Sequence, residues 1–130
     1  MSTEPTPPAR YQEFVERYPN LGDAWGLMAE VGSDGPIDSR TARLIKLGIA
    51  IGALRQGAVH ASARKGLAQG LSAAELEQVV ALAAGTIGLP ATVAAFSWVR
   101  EVLEREAKTP SIRREHRAAR DHETAPELQR

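Results

Sequence analysis

Lys46, Arg55, Gln56 and His60 are the side chains whose types and spacing could do chemistry, and they sit in one stretch, RLIKLGIAIGALRQGAVHASARKGLAQG, residues 43–70. His60 is the histidine of the apolar part of the chain, and an imidazole that titrates near neutral pH can act as a general base or as a hydrogen-bonding group for a substrate. Gln56 precedes it by four residues, so on a helix the two side chains share a face. That face points at the turn formed by Arg55-Gln56-Gly57. The alternative use of His60 is structural, as a half-buried ring bonded to a neighbouring helix or subunit. Lys46 lies within Leu44-Ile45-Lys46-Leu47. A buried lysine has a depressed pKa that suits acid/base or Schiff-base work, whereas the commoner fate of such a side chain is to snorkel or to pair with a carboxylate. In an antiparallel helix pair turning near Arg55, position 46 faces about position 64, and at ~1.5 Å per residue this is several ångströms along the axis from His60. No lysine–histidine dyad is expected. Arg55, like Arg43, could bind an anionic group such as a carboxylate or serve in a surface ion pair.

The elements that must position these groups are helices. Residues 1–8 read as a disordered, proline-rich leader. Tyr11, Phe14, Val15 and Tyr18 then mark an amphipathic helix stopped by Pro19, and Asn20 can cap a second helix carrying Leu21, Trp25, Met28 and Ala29 on one face. Gly32 to Pro36 break it. Asp38 or Ser39 caps a third helix from about Arg40 to about Leu54, apolar on most of its circumference and therefore expected to be central and buried. Gly48 and Gly52 weaken that helix by roughly 1 kcal/mol each, and a close approach by another helix would explain them. A fourth helix, about Gly57 to Gln69, ends at Gly70 as the C′ residue. Ser72-Ala-Ala-Glu75 is a capping box that starts a fifth. Gly85 and Gly88 bracket an interruption at Thr86-Ile87, and Pro90 opens a sixth helix to about Glu106. Trp25, Phe96 and Trp98 are spaced as core or subunit-contact aromatics. The expectation is an all-α bundle of about six helices spanning residues 9–108, followed by a polar, charged tail over 109–130.

Composition excludes several kinds of function. The 130 residues contain no cysteine, which rules out disulfides, thiolate metal sites, thiol nucleophiles and dithiol redox chemistry in this chain. Sixteen Lys and Arg balance sixteen Asp and Glu, so no global field draws nucleic acid or an anionic membrane surface. No run reaches ~18 apolar residues, and the start of the chain lacks the apolar core of a secretory signal; a cytoplasmic protein with no membrane partner is expected. His116 and His122 fall in the tail. No Asp, Glu or His cluster stands at metal-ligand spacing and no glycine loop matches a phosphate cradle, so neither metal nor cofactor is expected.

In order and spacing these elements resemble the carboxymuconolactone decarboxylase family, the all-α group that includes the alkylhydroperoxidase AhpD. The resemblance runs from about Tyr11 to Glu106 and is carried by TARLIKLGIAIGAL and by HASARKGLAQGLSAAELEQVVALAAGTIGLPATVAAF. The redox branch of that family opens its site helix with Cys-x-x-Cys-x-x-x-His, assisted by a glutamate on the preceding helix. Anchoring the register on Gly70 puts the cysteine positions on Arg55 and Ala58, the histidine on Ser62 and the glutamate on Arg43. Aligning His60 with the family histidine instead puts the cysteines on Ala53 and Gln56. Under either register the dithiol peroxidase step has no residues to carry it. Decarboxylase members do without cysteine and use a histidine on this helix, which leaves His60 open as a base, with Gln56 and not an acid beside it; a glutamine cannot transfer a proton in a glutamate's place. The segment Gln56-Gly-Ala-Val-His60 is also similar to a sub-branch with Glu in place of Gln56, which favours the Gly70 register.

The resemblance implies an AhpD-like helical bundle that assembles as a homo-oligomer, a trimer or a dimer of trimers. Two functions remain open. One is a non-redox enzyme or binder of a small carboxylate or lactone, with a pocket near His60 and with Gln56, Arg55 and Lys46 available to the ligand. The other is a catalytically silent structural or interaction subunit that keeps the family oligomer.

Overall fold

Helix starts follow from side chains that satisfy the free N–H groups of a first turn. The structure, a computed structural model, describes residues 8–108, so the expected leader (apart from Pro8) and the tail with His116 and His122 lie outside the described residues. Six helices are present among them: α1 (Ala9–Arg17), α2 (Pro19–Ser33), α3 (Ser39–Gly52), α4 (Gln56–Ala68), α5 (Ala73–Ile87) and α6 (Leu89–Ala107). Asp38 caps α3, its carboxylate accepting from the Thr41 backbone N–H at 2.7 Å and from the Thr41 hydroxyl at 2.9 Å. The capping box forms as expected, with Glu75 N–H donating to Ser72 Oγ at 3.1 Å and Ser72 N–H donating to Glu75 Oε1 at 3.0 Å. Pro19 departs from expectation: it opens α2 at the first helical position, with Tyr18 as the cap residue in place of Asn20. A proline there loses no hydrogen bond and already has helical φ.

Helices α3 to α6 form a four-helix bundle. α3 packs on α4 and α5, and α6 packs on α4 and α5, leaving α4 and α5 on the diagonal. Arg40 and Glu75, each in the first turn of its helix, meet across α3 and α5, so these two neighbours run parallel. The core is aliphatic and small: Leu47, Ile51, Val59, Leu76 and Val99 are fully buried, with Ala63 and Ala95 letting the helices close up. By contrast α1 and α2 pack on each other, Val15 lying against Gly22, and neither contains a buried residue.

The corner between α4 and α5 is tightly built. Gly70, at φ +91°, supplies the left-handed residue that ends α4. Its N–H donates to Leu67 O at 3.0 Å, and Leu71 N–H donates to Gly66 O at 2.9 Å, which together make a Schellman motif. Leu71 then precedes the Ser72 cap and packs with Leu76, a hydrophobic staple for α5. Both leucines close over Gly66, where a Cβ would stand 3.0 Å from Leu71 Cδ1 and 3.2 Å from Leu76 Cδ2.

Gly66, like Gly22 against Val15, is thus a glycine that close packing demands, and Gly48 and Gly52 are not: a Cβ at Gly48 would meet Val79 Cγ1 at an ordinary 3.7 Å, and one at Gly52 would meet nothing. The expectation of a wholly buried α3 is corrected in the same way. Leu47, Ala50 and Ile51 are buried, while Ile45 and Ile49 are exposed, so within one chain α3 is two-faced. The expected interruption at Thr86-Ile87 is also absent. α5 continues through Gly85 to Ile87, and the break is the single residue Gly88 at φ +85°.

Candidate functional site

Val59, Ser62, Ala63 and Gly66 turn inward on α4 and fix which way its other residues face. His60 therefore stands on the flank that meets α6, where its Nε2 lies 2.8 Å from Glu101 Oε2. The histidine side chain is 20% exposed and the glutamate 47%. A carboxylate can only accept, so Nε2 carries the hydrogen and donates it, and in the neutral ring Nδ1 keeps its lone pair. Among the described residues nothing hydrogen-bonds Nδ1. An imidazole held in one tautomer by a carboxylate, with its second nitrogen open, can take up a proton and keep the resulting cation beside a negative charge.

The turn that delivers α4 is strained. Leu54 N–H donates to Ile51 O at 3.0 Å and Arg55 N–H to Ala50 O at 3.1 Å, a second Schellman motif, but the left-handed position at φ +53° is a leucine. A branched side chain there costs roughly 1–2 kcal/mol relative to a relaxed backbone. Gln56 follows as the first residue of α4, exposed and one turn before His60, and Arg55 is the exposed cap residue, making no side-chain capping bond. Gln56 and His60 are thus brought to one face, with Arg55 at its edge. Lys46 is not brought to them. It is half-buried on α3, one turn from Arg43, whose Nε donates to Gln69 Oε1 at 3.0 Å on the other flank of α4. Burial pushes the Arg43 guanidinium below its ordinary pKa.

Two side chains of this region were not singled out by the sequence. Glu101 is 41 residues from His60, among several acids of a charged helix end, and nothing in the local pattern separates it from them. Arg64 had a signal that could have found it, since it follows His60 by four residues and so continues the stripe of Gln56 and His60. Its Nε is enclosed without a hydrogen-bond partner. A buried donor left so costs about 1–3 kcal/mol.

Concave space lies on the opposite side of the bundle. A groove of about 520 Å³ runs between α3 and α5, lined by Thr41, Leu44, Ile45, Gly48, Gly52, Glu75, Gln78, Val79, Leu82, Ala83, Thr86 and Ile87. None of His60, Gln56, Arg55 or Lys46 lines it. Its one ionisable group, Glu75, is held at the helix start by the capping box and by both guanidinium nitrogens of Arg40, the second at 2.7 Å. The Arg40 guanidinium, seconded by the Ser72 N–H, holds the Glu75 carboxyl down at about 2.

Compared with known protein families, residues 19–101 match the model of the carboxymuconolactone decarboxylase family, well over half of the chain. No curated protein and no solved structure matches. Among the described residues no helix is long and apolar enough to cross a membrane.

Proposed function

The chain belongs to the carboxymuconolactone decarboxylase family, and from that premise we propose that it is a cysteine-free, non-redox member that binds or transforms a small carboxylate or lactone, with His60 as proton acceptor. The observation that carries this reading is the 2.8 Å bond from His60 Nε2 to Glu101 Oε2 on a part-open seam. Glu101 sets the ring's tautomer and orientation, and Nδ1 takes the proton from the ligand or from a water attacking it. The Gln56 amide, one turn back, orients the ligand by hydrogen bonds. Arg55 and Arg64 supply positive charge for its carboxylate. Lys46, on the far flank of α4, stands apart from this arrangement.

One observation favours the alternative, a silent interaction subunit: the groove lies between α3 and α5, away from His60. The two readings part in a thermal-shift screen of small carboxylic acids and lactones, because a ligand of the native state raises its melting temperature. Under the enzyme or binder reading at least one compound raises Tm, the rise disappears in His60→Ala, and Glu101→Gln reduces it. If no compound shifts Tm, the silent-subunit reading takes its place. A shift that survives intact in His60→Ala would remove His60 from the site.

A further inference from the structure

Between Asp38 and Glu75 the chain contains no acidic residue, yet it carries Arg40, Arg43, Lys46, Arg55, Arg64 and Lys65 there. A chain that is neutral overall therefore concentrates positive charge on α3 and α4. Arg40 is neutralised by Glu75 across the α3/α5 seam. Arg43 and Lys46 are not. Three residues apart on α3, they share one flank, and among the described residues neither forms a salt bridge. That flank faces α4: Arg43 Nε donates to Gln69 Oε1 at 3.0 Å, and Arg43 Cγ lies over Gly66, where a Cβ would stand 3.6 Å from it. Both cations are half-buried. Burial lowers the Arg43 pKa and no neighbouring carboxylate raises it, so the guanidinium gives up water without gaining a counter-charge.

We propose that Arg43, Lys46 and Gln69 form a binding site on the α3/α4 seam for a phosphoryl group, carried by free phosphate or by a phosphomonoester. Gln69 holds Nε of Arg43 and so fixes the plane of the guanidinium, leaving its two terminal nitrogens to donate to two phosphoryl oxygens. Lys46 supplies the second positive charge, which a dianion uses and a single carboxylate does not need. Side chains of a helix lean toward its N-terminus, so the Lys46 stem leans toward Arg43. The Gln69 amide, its oxygen engaged, keeps its NH2 as a donor to the same group. Lys65, one turn before Gln69 on α4, adds positive charge to this flank. The site lies across α4 from His60, and the inference is independent of what His60 does.

The test is isothermal titration calorimetry of the full chain at constant ionic strength, with inorganic phosphate and glycerol phosphate as probes and acetate as the comparison anion. Saturable binding of a phosphoryl compound, tighter than that of acetate, is the expected result. Tighter binding of inorganic phosphate identifies the free ion as the ligand, and tighter binding of glycerol phosphate identifies a monoester. Arg43→Gln and Lys46→Gln each remove a charge-assisted hydrogen bond and are expected to weaken that binding by about tenfold or more. Arg43→Lys, which keeps the charge and loses the fork, falls between them and the wild type. Arg10→Gln on α1 is the control and binds as the wild type does. Circular dichroism checks the fold of each variant, and Lys46→Gln carries the test should Arg43→Gln not fold. The proposal is overturned if neither phosphoryl compound binds saturably, if acetate binds as tightly, or if Arg43→Gln and Lys46→Gln keep the wild-type response, as a general salt effect would have it.

Discussion

The α4/α6 seam and the α3/α5 seam are opposite sides of one bundle, yet they are finished differently. Along α4/α6 the outward flank is polar: Gln56, His60 and Arg64 in a stripe on one helix, Glu101 on the other, with one imidazole nitrogen and one arginine nitrogen unpaired among the described residues. Along α3/α5 the charged groups, Arg40 and Glu75, are gathered at the helix starts and engaged with each other, and the rest of the groove is mostly aliphatic or glycine, with Gln78 and Thr86 as its other polar residues besides Thr41. Unpaired polar groups suit a small ligand, and an uncovered apolar face suits a protein. The difference is the ground on which the chemistry proposed for His60 is placed at the α4/α6 seam.

That contrast can be broken most severely beneath both seams. Gly66→Ala forces a methyl against Leu71 and Leu76, whose atoms would stand at 3.0 and 3.2 Å, and is expected to cost about 1–3 kcal/mol in urea unfolding, as overpacking does. A cost near zero would show that the corner is looser than described. The α3/α5 seam is addressed by acid through Glu75. The Glu75 carboxyl falls from 4.5 to about 2 on folding, so the stability it contributes is complete above pH 4.5 and is lost as pH drops toward 2. Glu75→Gln should therefore flatten the fall of Tm between those two values and leave the rest of the profile in place. Asp38, also lowered, by the Thr41 N–H first, adds a share with the same sign. The smallest effect on stability is expected at the α4/α6 seam. His60→Ala removes a hydrogen-bonded pair whose glutamate is nearly half exposed, a kind of surface contact worth about 0–1 kcal/mol. A loss of several kcal/mol would make His60 a structural histidine instead of a working one.

What the sequence disclosed was whatever is encoded within a turn or two of chain. Ser72 and Glu75 spell a capping box, Asp38 a cap and Gly70 a left-handed stop, and each is found where the local pattern puts it. Pro19 misled because a proline that ends one helix can equally begin the next. Gly85 misled because a glycine is tolerated inside a helix at a cost of about 1 kcal/mol, so two glycines near each other need not both be breaks. The apolar outer face of α3 was read as buried because periodicity reports that a helix face is apolar, not whether the chain's other helices reach it. His60, Gln56 and Arg55 were legible as a group because they are near one another in sequence. Glu101 was not, because a pairing across 41 residues leaves no local trace.

The corner at Leu71 has a consequence for when this protein can act. It carries the chain across the bundle's diagonal, so each half, α3 with α4 and α5 with α6, holds one helix of each seam. Neither seam exists in a half-assembled molecule. A nascent or partly opened chain cannot present the His60–Glu101 pair, and any proton transfer there is reserved for the finished fold.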